Sequence, residues 1–212
     1  AALAYIIFSY RDNLGYKTIS LLFTGAFIFI LFCYSVESTG VKHRINQAFS
    51  DLKLYEQGYT HTSLGVRLEL WKDLSRMLKD KPVTGWGKEG YYLKLEEMVK
   101  QKSTSLKQVY HPHSDILHAI SHRGIIGLLA LAILYSFSII SFRKAHKNNS
   151  ISKPISIAGI ILIFCYIDFG LTDMFINKRN GILYFLFPLT ILLSSNKQNE
   201  RRYLTHAKQT SN

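Results

Sequence analysis

The sequence predicts an all-α, polytopic membrane helix bundle with a large, partly helical loop outside the membrane. Three observations carry this. Apolar residues, 48% of the chain, are gathered into blocks rather than spread. Two of these blocks, Thr18 to Val36 and Gly124 to Phe142, each run 19 residues without a charge. That is long enough for a membrane span, which takes roughly 17 to 25 residues. Finally, the excess of cations behind the net charge of +12 falls largely in short segments between the blocks. In a soluble protein that charge would suggest nucleic acid. Here it sets topology, and nucleic acid is not an expected partner.

In chain order, Ala1 to Phe8 is already apolar, with no basic region before it and no small-residue cleavage site. It is expected to be the tail of a membrane helix rather than a signal peptide, so the chain reads as the C-terminal part of a longer protein. Arg11 and Lys17 follow, then the first complete span, about 18–36. Further spans are expected at about 116–142, 155–176 and 180–195. The third contains Asp168 and Asp173, and the last rests on an apolar run of only 15 residues, Gly181 to Ser195. This arrangement puts Arg11 and Lys17, the Arg143–Lys153 segment and the basic tail after Lys197 on one side, which the positive-inside rule makes cytoplasmic. The expected organisation is therefore a truncated span, cytoplasmic loop and helix over 1–36, a periplasmic loop over 37–115, three membrane helices over 116–195 and a cytoplasmic tail over 196–212. Cys33 and Cys165 both fall inside spans and read as small core residues.

The long loop has structure of its own. Leu64, Arg67, Trp71, Leu74 and Leu78 recur at helical spacing and predict one face of a helix that ends at Lys79-Asp80-Lys81-Pro82. Thr84-Gly85-Trp86-Gly87 is a turn-rich breaker. Tyr91 to Lys100 predicts a second helix with Tyr91, Leu95, Met98 and Val99 on its apolar side. Gln101 to Gln108, polar and rich in Ser, Thr and Lys, reads as a mobile lid or linker. Ser114 or Asp115 is suited to cap the helix that follows Pro112.

Candidate chemistry gathers where that helix begins. Four of the eight histidines, His111, His113, His118 and His122, lie within twelve residues there. Polar groups at a membrane helix carry a cost and usually a role. A helix N-terminus disfavours imidazolium, so a neutral His113 there suits a general base; a solvated loop histidine is the bland alternative. Asp115, His118 and His122 share a helix face and, with His111 and His113, offer a zinc-like ligand set, although no His-Glu-x-x-His pattern is present. Arg67, on the apolar face of its helix, suits a phosphate clamp or a snorkelling side chain. Arg44, just beyond the first span, suits a lipid headgroup. Asp173, Lys178 and Arg179 sit at the outer end of the third span, where two cations break the charge rule; they suit a pyrophosphate, or a plain Asp173–Arg179 pair. Asp168 is expected to pair or to face water inside the bundle.

These residues resemble a known family. His113-Ser114, nine residues, then Gly124-x-x-Gly127 is similar to the signature of bacterial O-antigen ligases and the related O-antigen polymerases. Thr62-Ser63-Leu64-Gly65-Val66-Arg67 with Trp71 resembles the family's periplasmic arginine helix, Pro82-x-x-Gly85-x-Gly87 its turn, and Gly170-Leu171-Thr172-Asp173 with Arg179 the end of a late ligase span. The resemblance implies a glycosyltransferase of the inner membrane, active on the periplasmic face. It would move a glycan from undecaprenyl pyrophosphate to a sugar hydroxyl of lipid A–core, without a metal or other cofactor. His113 would be the base and Arg67 the binder of the donor pyrophosphate; Arg44, Asp173 and Arg179 are expected, from their positions, to be further binding residues. The family also carries an arginine in an earlier span, before this chain begins, so the chain alone is expected to be inactive. The alternatives are a polymerase, a protein O-oligosaccharyltransferase and, from other classes, an ion-coupled transporter or channel using Asp168 and Asp173 or a zinc-dependent membrane hydrolase using His111, His113, His118 and His122. The Gly-Leu-Thr-Asp end and the single large loop favour the ligase.

Overall fold

A computed structural model describes residues 16–108, 110–148 and 152–210, so the apolar opening and Arg11 lie outside the described residues. Among the described residues every regular element is helical. They are α1 (Tyr16–Ser35), a 3₁₀ turn (Glu37–Thr39), α2 (Val41–Glu56), α3 (Ser63–Asp80), α4 (Gly87–Lys100), α5 (Asp115–Asn148), α6 (Lys153–Thr172) and α7 (Arg179–Thr210). The residues form two compact units. Among the described residues, one holds those of 81–87 and 112–210; the other holds those of 16–80 and 88–111.

The first unit is built by α5, α6 and α7. Its core is Phe142, Ile160, Ile163, Tyr166, Phe185 and Leu189. A side chain at Gly159 would meet the Phe142 ring, so the missing Cβ is what lets the ring seat against α6. Two polar groups in this unit bond internally. The Tyr166 hydroxyl donates to the Gly181 carbonyl at 2.8 Å, and the Asn196 amide donates to Ser156 Oγ at 3.1 Å. Asp115–Ala145 and Lys153–Thr172 are long and apolar enough to cross a membrane. The third span was expected to run to Ile176, but α6 stops at Thr172, where Asp173 turns extended. Of the two expectations for Asp168, pairing or facing water, its exposed position on α6 fits the second.

In the second unit α1 carries the first apolar block, and Leu21, Phe23, Phe27, Ile28 and Phe29 are all exposed on it. The next helix, α2, was not foreseen from the sequence. The buried apolar residues of α3 and α4 are Leu70, Leu74, Met77, Tyr91, Leu95 and Met98, with Leu106 in the segment that follows. The buried side of α4 is the expected one. That of α3 is rotated: Leu70, Leu74 and Met77 are buried together with Glu69 and Asp73, while Trp71 is 41% exposed. The rotation works because both acids find partners. Tyr55 donates its hydroxyl to Glu69 at 2.8 Å, and Asp73 receives Thr104 and pairs with Arg76 at 3.2 Å. Burial holds the Asp73 carboxyl above the usual carboxylate range, against the opposing pull of Thr104 and Arg76.

The segment after α4 is accordingly no free lid. Thr104 is bound to Asp73, the Ser103 carbonyl accepts from Arg76 at 3.2 Å, and Leu106 is 5% exposed. Tyr91 donates its hydroxyl to the Tyr110 carbonyl at 2.7 Å, and burial pushes that hydroxyl's pKa up.

Candidate active site

The start of α5 is set by Ser114, whose carbonyl accepts the first helical bond, from the His118 amide at 2.9 Å. Its hydroxyl, rather than capping the helix, donates to the Gly170 carbonyl at 3.0 Å. Asp115, 1% exposed, also looks outward. One carboxylate oxygen accepts from the Ile176 amide at 3.0 Å and the other from the Asn177 side chain at 2.9 Å. A side chain at Gly170 would meet Asp115, so this approach also depends on a missing Cβ. Two adjacent residues thus tie the His113 segment to the end of α6 and the turn into α7.

His113 stands immediately before this pair with φ +52. A non-glycine residue in that region carries strain of order 1–3 kcal/mol, held only where the surroundings over-determine it. Here Pro112, Ser114 and Asp115 are all buried around it. A ring nitrogen of half-buried His113 and a carboxylate oxygen of Asp173 lie within 4.8 Å of one another. Asp173 in turn accepts the Met174 amide at 2.7 Å and pairs with Lys178. The expected Asp173–Arg179 pair is therefore replaced by Asp173–Lys178, and Arg179 opens α7 as an exposed residue. So the structure brings together His113, Asp173 and Lys178. His118 and His122, one turn apart on α5, stack on each other with ring centroids 3.9 Å apart, and the Ser121 hydroxyl lies 3.0 Å from His122 Nδ1.

The two glycine motifs form one clasp. α5 is broken at Gly124, whose φ of +60 and ψ of −153 are essentially restricted to glycine. The break frees amides that the helix cannot satisfy. The Pro82 carbonyl accepts from Ile125 at 2.9 Å and the Val83 carbonyl from Ile126, while Trp86 donates its amide to the Ser121 carbonyl at 3.0 Å. Gly85, with φ +65, lies backbone to backbone against His122, Arg123 and Gly124, and a Cβ on Gly124 would strike Val83. Gly127 lets the second half of α5 close on Ala119 and Arg123. Lys81 covers Trp86 with its ammonium 4.4 Å from the ring centre. This explains why the turn and the helix each need glycines at those spacings, a link that spacing along one chain does not reveal.

In the other unit, Arg67 is half-buried on α3, on the side away from the buried acids. Arg44 is exposed on α2, with its guanidinium 3.4 Å from Gln47 Oε1.

These features define an integral, all-helical membrane protein with a charged constellation at the mouth of a membrane helix. The chain belongs to the O-antigen ligase family, whose model matches residues 1–132, including His113, Arg67 and both glycine motifs. It is similar to an uncharacterized protein of Haemophilus influenzae, 28% identical over 193 residues, covering 89% of this chain and 48% of that one. It is also similar to the O-antigen ligase of Escherichia coli K12, 26% identical over 163 residues, covering 75% of this chain and 37% of that one. The chain thus spans half or less of the length of these relatives.

Proposed function

We propose that this chain is part of a glycosyltransferase that moves a glycan from undecaprenyl pyrophosphate to a sugar hydroxyl of lipid A–core, on the periplasmic face of the inner membrane. The observation that carries the reading is His113, held in a left-handed conformation within 4.8 Å of Asp173. The family match supports the reaction class.

Neutral His113 accepts the proton of the acceptor hydroxyl as that oxygen bonds to the anomeric carbon. The bond from that carbon to the pyrophosphate oxygen breaks, and the lipid pyrophosphate leaves with the electron pair. Negative charge then grows on the pyrophosphate, where cations stabilise it most. Arg179, in the same unit as His113, is assigned to it; Arg67 keeps the donor-binding role that the sequence resemblance implies, and Arg44 the binding role expected from its position. Asp173 orients Lys178 and lies within 4.8 Å of a His113 ring nitrogen.

The test uses the full-length protein, purified, with polyprenyl-pyrophosphate-linked glycan and lipid A–core in the presence of chelator, read as a gel shift of the acceptor. The expected result is a shift with the wild type and a loss of about 10²- to 10⁴-fold in rate for His113→Ala, the usual share of a general base. An unimpaired His113→Ala removes the base assignment. A folded wild type that shifts no lipid A–core but lengthens the lipid-linked glycan is a polymerase.

A further inference from the structure

We propose that α2 is an interfacial helix whose Ile45–Phe49–Leu52 face lies in the headgroup–acyl boundary of an anionic lipid surface. The proposal rests on α1 crossing a membrane and not on the transfer reaction.

The three apolar residues recur at i, i+4 and i+7, which puts them on one side of a helix. All are uncovered: Phe49 is 64% exposed, Ile45 40% and Leu52 40%. The side of α2 that meets the rest of its unit is a different one. Asp51 there is buried and accepts the Leu64 amide at 3.2 Å, and Tyr55 reaches Glu69. His43, Asn46 and Ser50 make up a third, exposed polar side. The helix thus has a face for its own unit, a face for water and an apolar stripe that nothing in its unit covers.

Continuity and charge identify the occupant. α1 ends at Ser35 with its large apolar residues exposed, as lipid contact requires. Only Val36, the 3₁₀ turn and Gly40 separate it from α2. That joint is closed rather than slack. The Thr39 hydroxyl donates to the Val36 carbonyl at 2.7 Å and also reaches the Cys33 carbonyl, while the Gly40 amide donates to Glu37 at 3.0 Å. α2 is therefore held within a turn of the point where the apolar helix ends. At 100° per residue, Lys42 and Lys53 fall along one border of the stripe. Their stems can lie on apolar surface while their ammonium groups meet lipid phosphates. Glu56 marks the stripe's C-terminal end. An apolar stripe bordered by cations, next to a membrane helix, is the pattern of a helix lying in the interface plane.

The experiment places single cysteines in the full-length protein after Cys33, Cys165 and any other native cysteine are replaced. Phe49→Cys, Leu52→Cys, Ser50→Cys and Phe27→Cys are labelled with an environment-sensitive fluorophore, in nanodiscs of phosphatidylglycerol with and without spin-labelled lipid. The expected result is quenching at positions 49 and 52 about twofold or more above that at 50, with position 27 quenched from greater depth. Lys42→Gln with Lys53→Gln, or replacement of the anionic lipid by a zwitterionic one, should weaken quenching at 49 and leave 27 unchanged. Position 49 quenched no more than 50, with 27 quenched, overturns the proposal and assigns the stripe to protein. Position 27 unquenched overturns the membrane reading of α1 and the proposal with it.

Discussion

Asp115 and Asp73 are both fully buried carboxylates, one in each unit, and they are satisfied in opposite ways. Asp73 has a cation one helical turn away, Arg76, and a hydroxyl from Thr104. Its partners hold a linker to the helix that bears it. Asp115 is met by neutral donors, the Ile176 amide and the Asn177 side chain, from 61 and 62 residues along the chain. Among the described residues no cation is paired with it. The segment it grips is the one that carries Asp173, Lys178 and Arg179. A buried acid beside its own cation builds scaffold. A buried acid spent on the backbone of a distant charged turn sets the position of that turn.

The sharpest way to break this contrast is Asp115→Ala. It removes the acceptor of two hydrogen bonds to a charged group, each worth about 1.5–3 kcal/mol. It should lower the melting temperature of the full-length protein and abolish transfer. Asp115→Asn keeps the size and one acceptor oxygen, and should retain the fold while the rate falls by tenfold or more, on the order of 1.4 kcal/mol of misplacement. Full activity in a folded Asp115→Asn would reduce Asp115 to scaffold.

The clasp comes next. Gly85→Ala or Gly124→Ala forces a side chain onto a positive-φ backbone, at about 1–3 kcal/mol, and into neighbouring main chain besides. Each should lower thermal stability clearly. The double variant should cost less than the sum, because both substitutions open the same contact; additive losses would show two independent turns.

Asp73 should respond more mildly and with a defined sign. Its folded pKa is raised, so folding favours the protonated acid. That contribution is present below the ordinary carboxylate value and is lost as pH rises through the raised one. Asp73→Asn should therefore flatten the acid-side pH dependence of stability with little change in activity. A melting profile parallel to the wild type from pH 3 to 7 would contradict this. The smallest effect is Tyr55→Phe, which leaves Glu69 with Lys72 at 3.6 Å and costs about 0.5–1.5 kcal/mol, measured by denaturant titration.

Much of this was legible beforehand because its signals are local. Uncharged runs give helices, Gly-x-x-Gly and Pro-x-x-Gly-x-Gly announce special backbone, and four histidines before an apolar run draw the eye to His113. What was missed depends on partners far along the chain. Glu69 and Asp73 look solvated in sequence, and it takes Tyr55, Lys72, Thr104 and Arg76 to satisfy them when buried, so the face of α3 was drawn rotated from the buried one. The α2 stripe was overlooked because polar residues interrupt it. Lys178 rather than Arg179 pairs with Asp173 because α7 starts at Arg179 and the turn before it folds Lys178 back.

The clasp has a bearing on how sequences of this kind can vary. The chain leaves it at Gly87 and comes back at Pro112, so α4 and the linker form an excursion between two fixed ends. Each doubling of such a loop costs only about 0.6 kcal/mol in closure entropy. Added residues are best borne at exposed Lys107-Gln108, beyond the Thr104 and Leu106 anchors. Differences in length among relatives should collect there, while the stretch from Pro82 to Gly87 keeps its length.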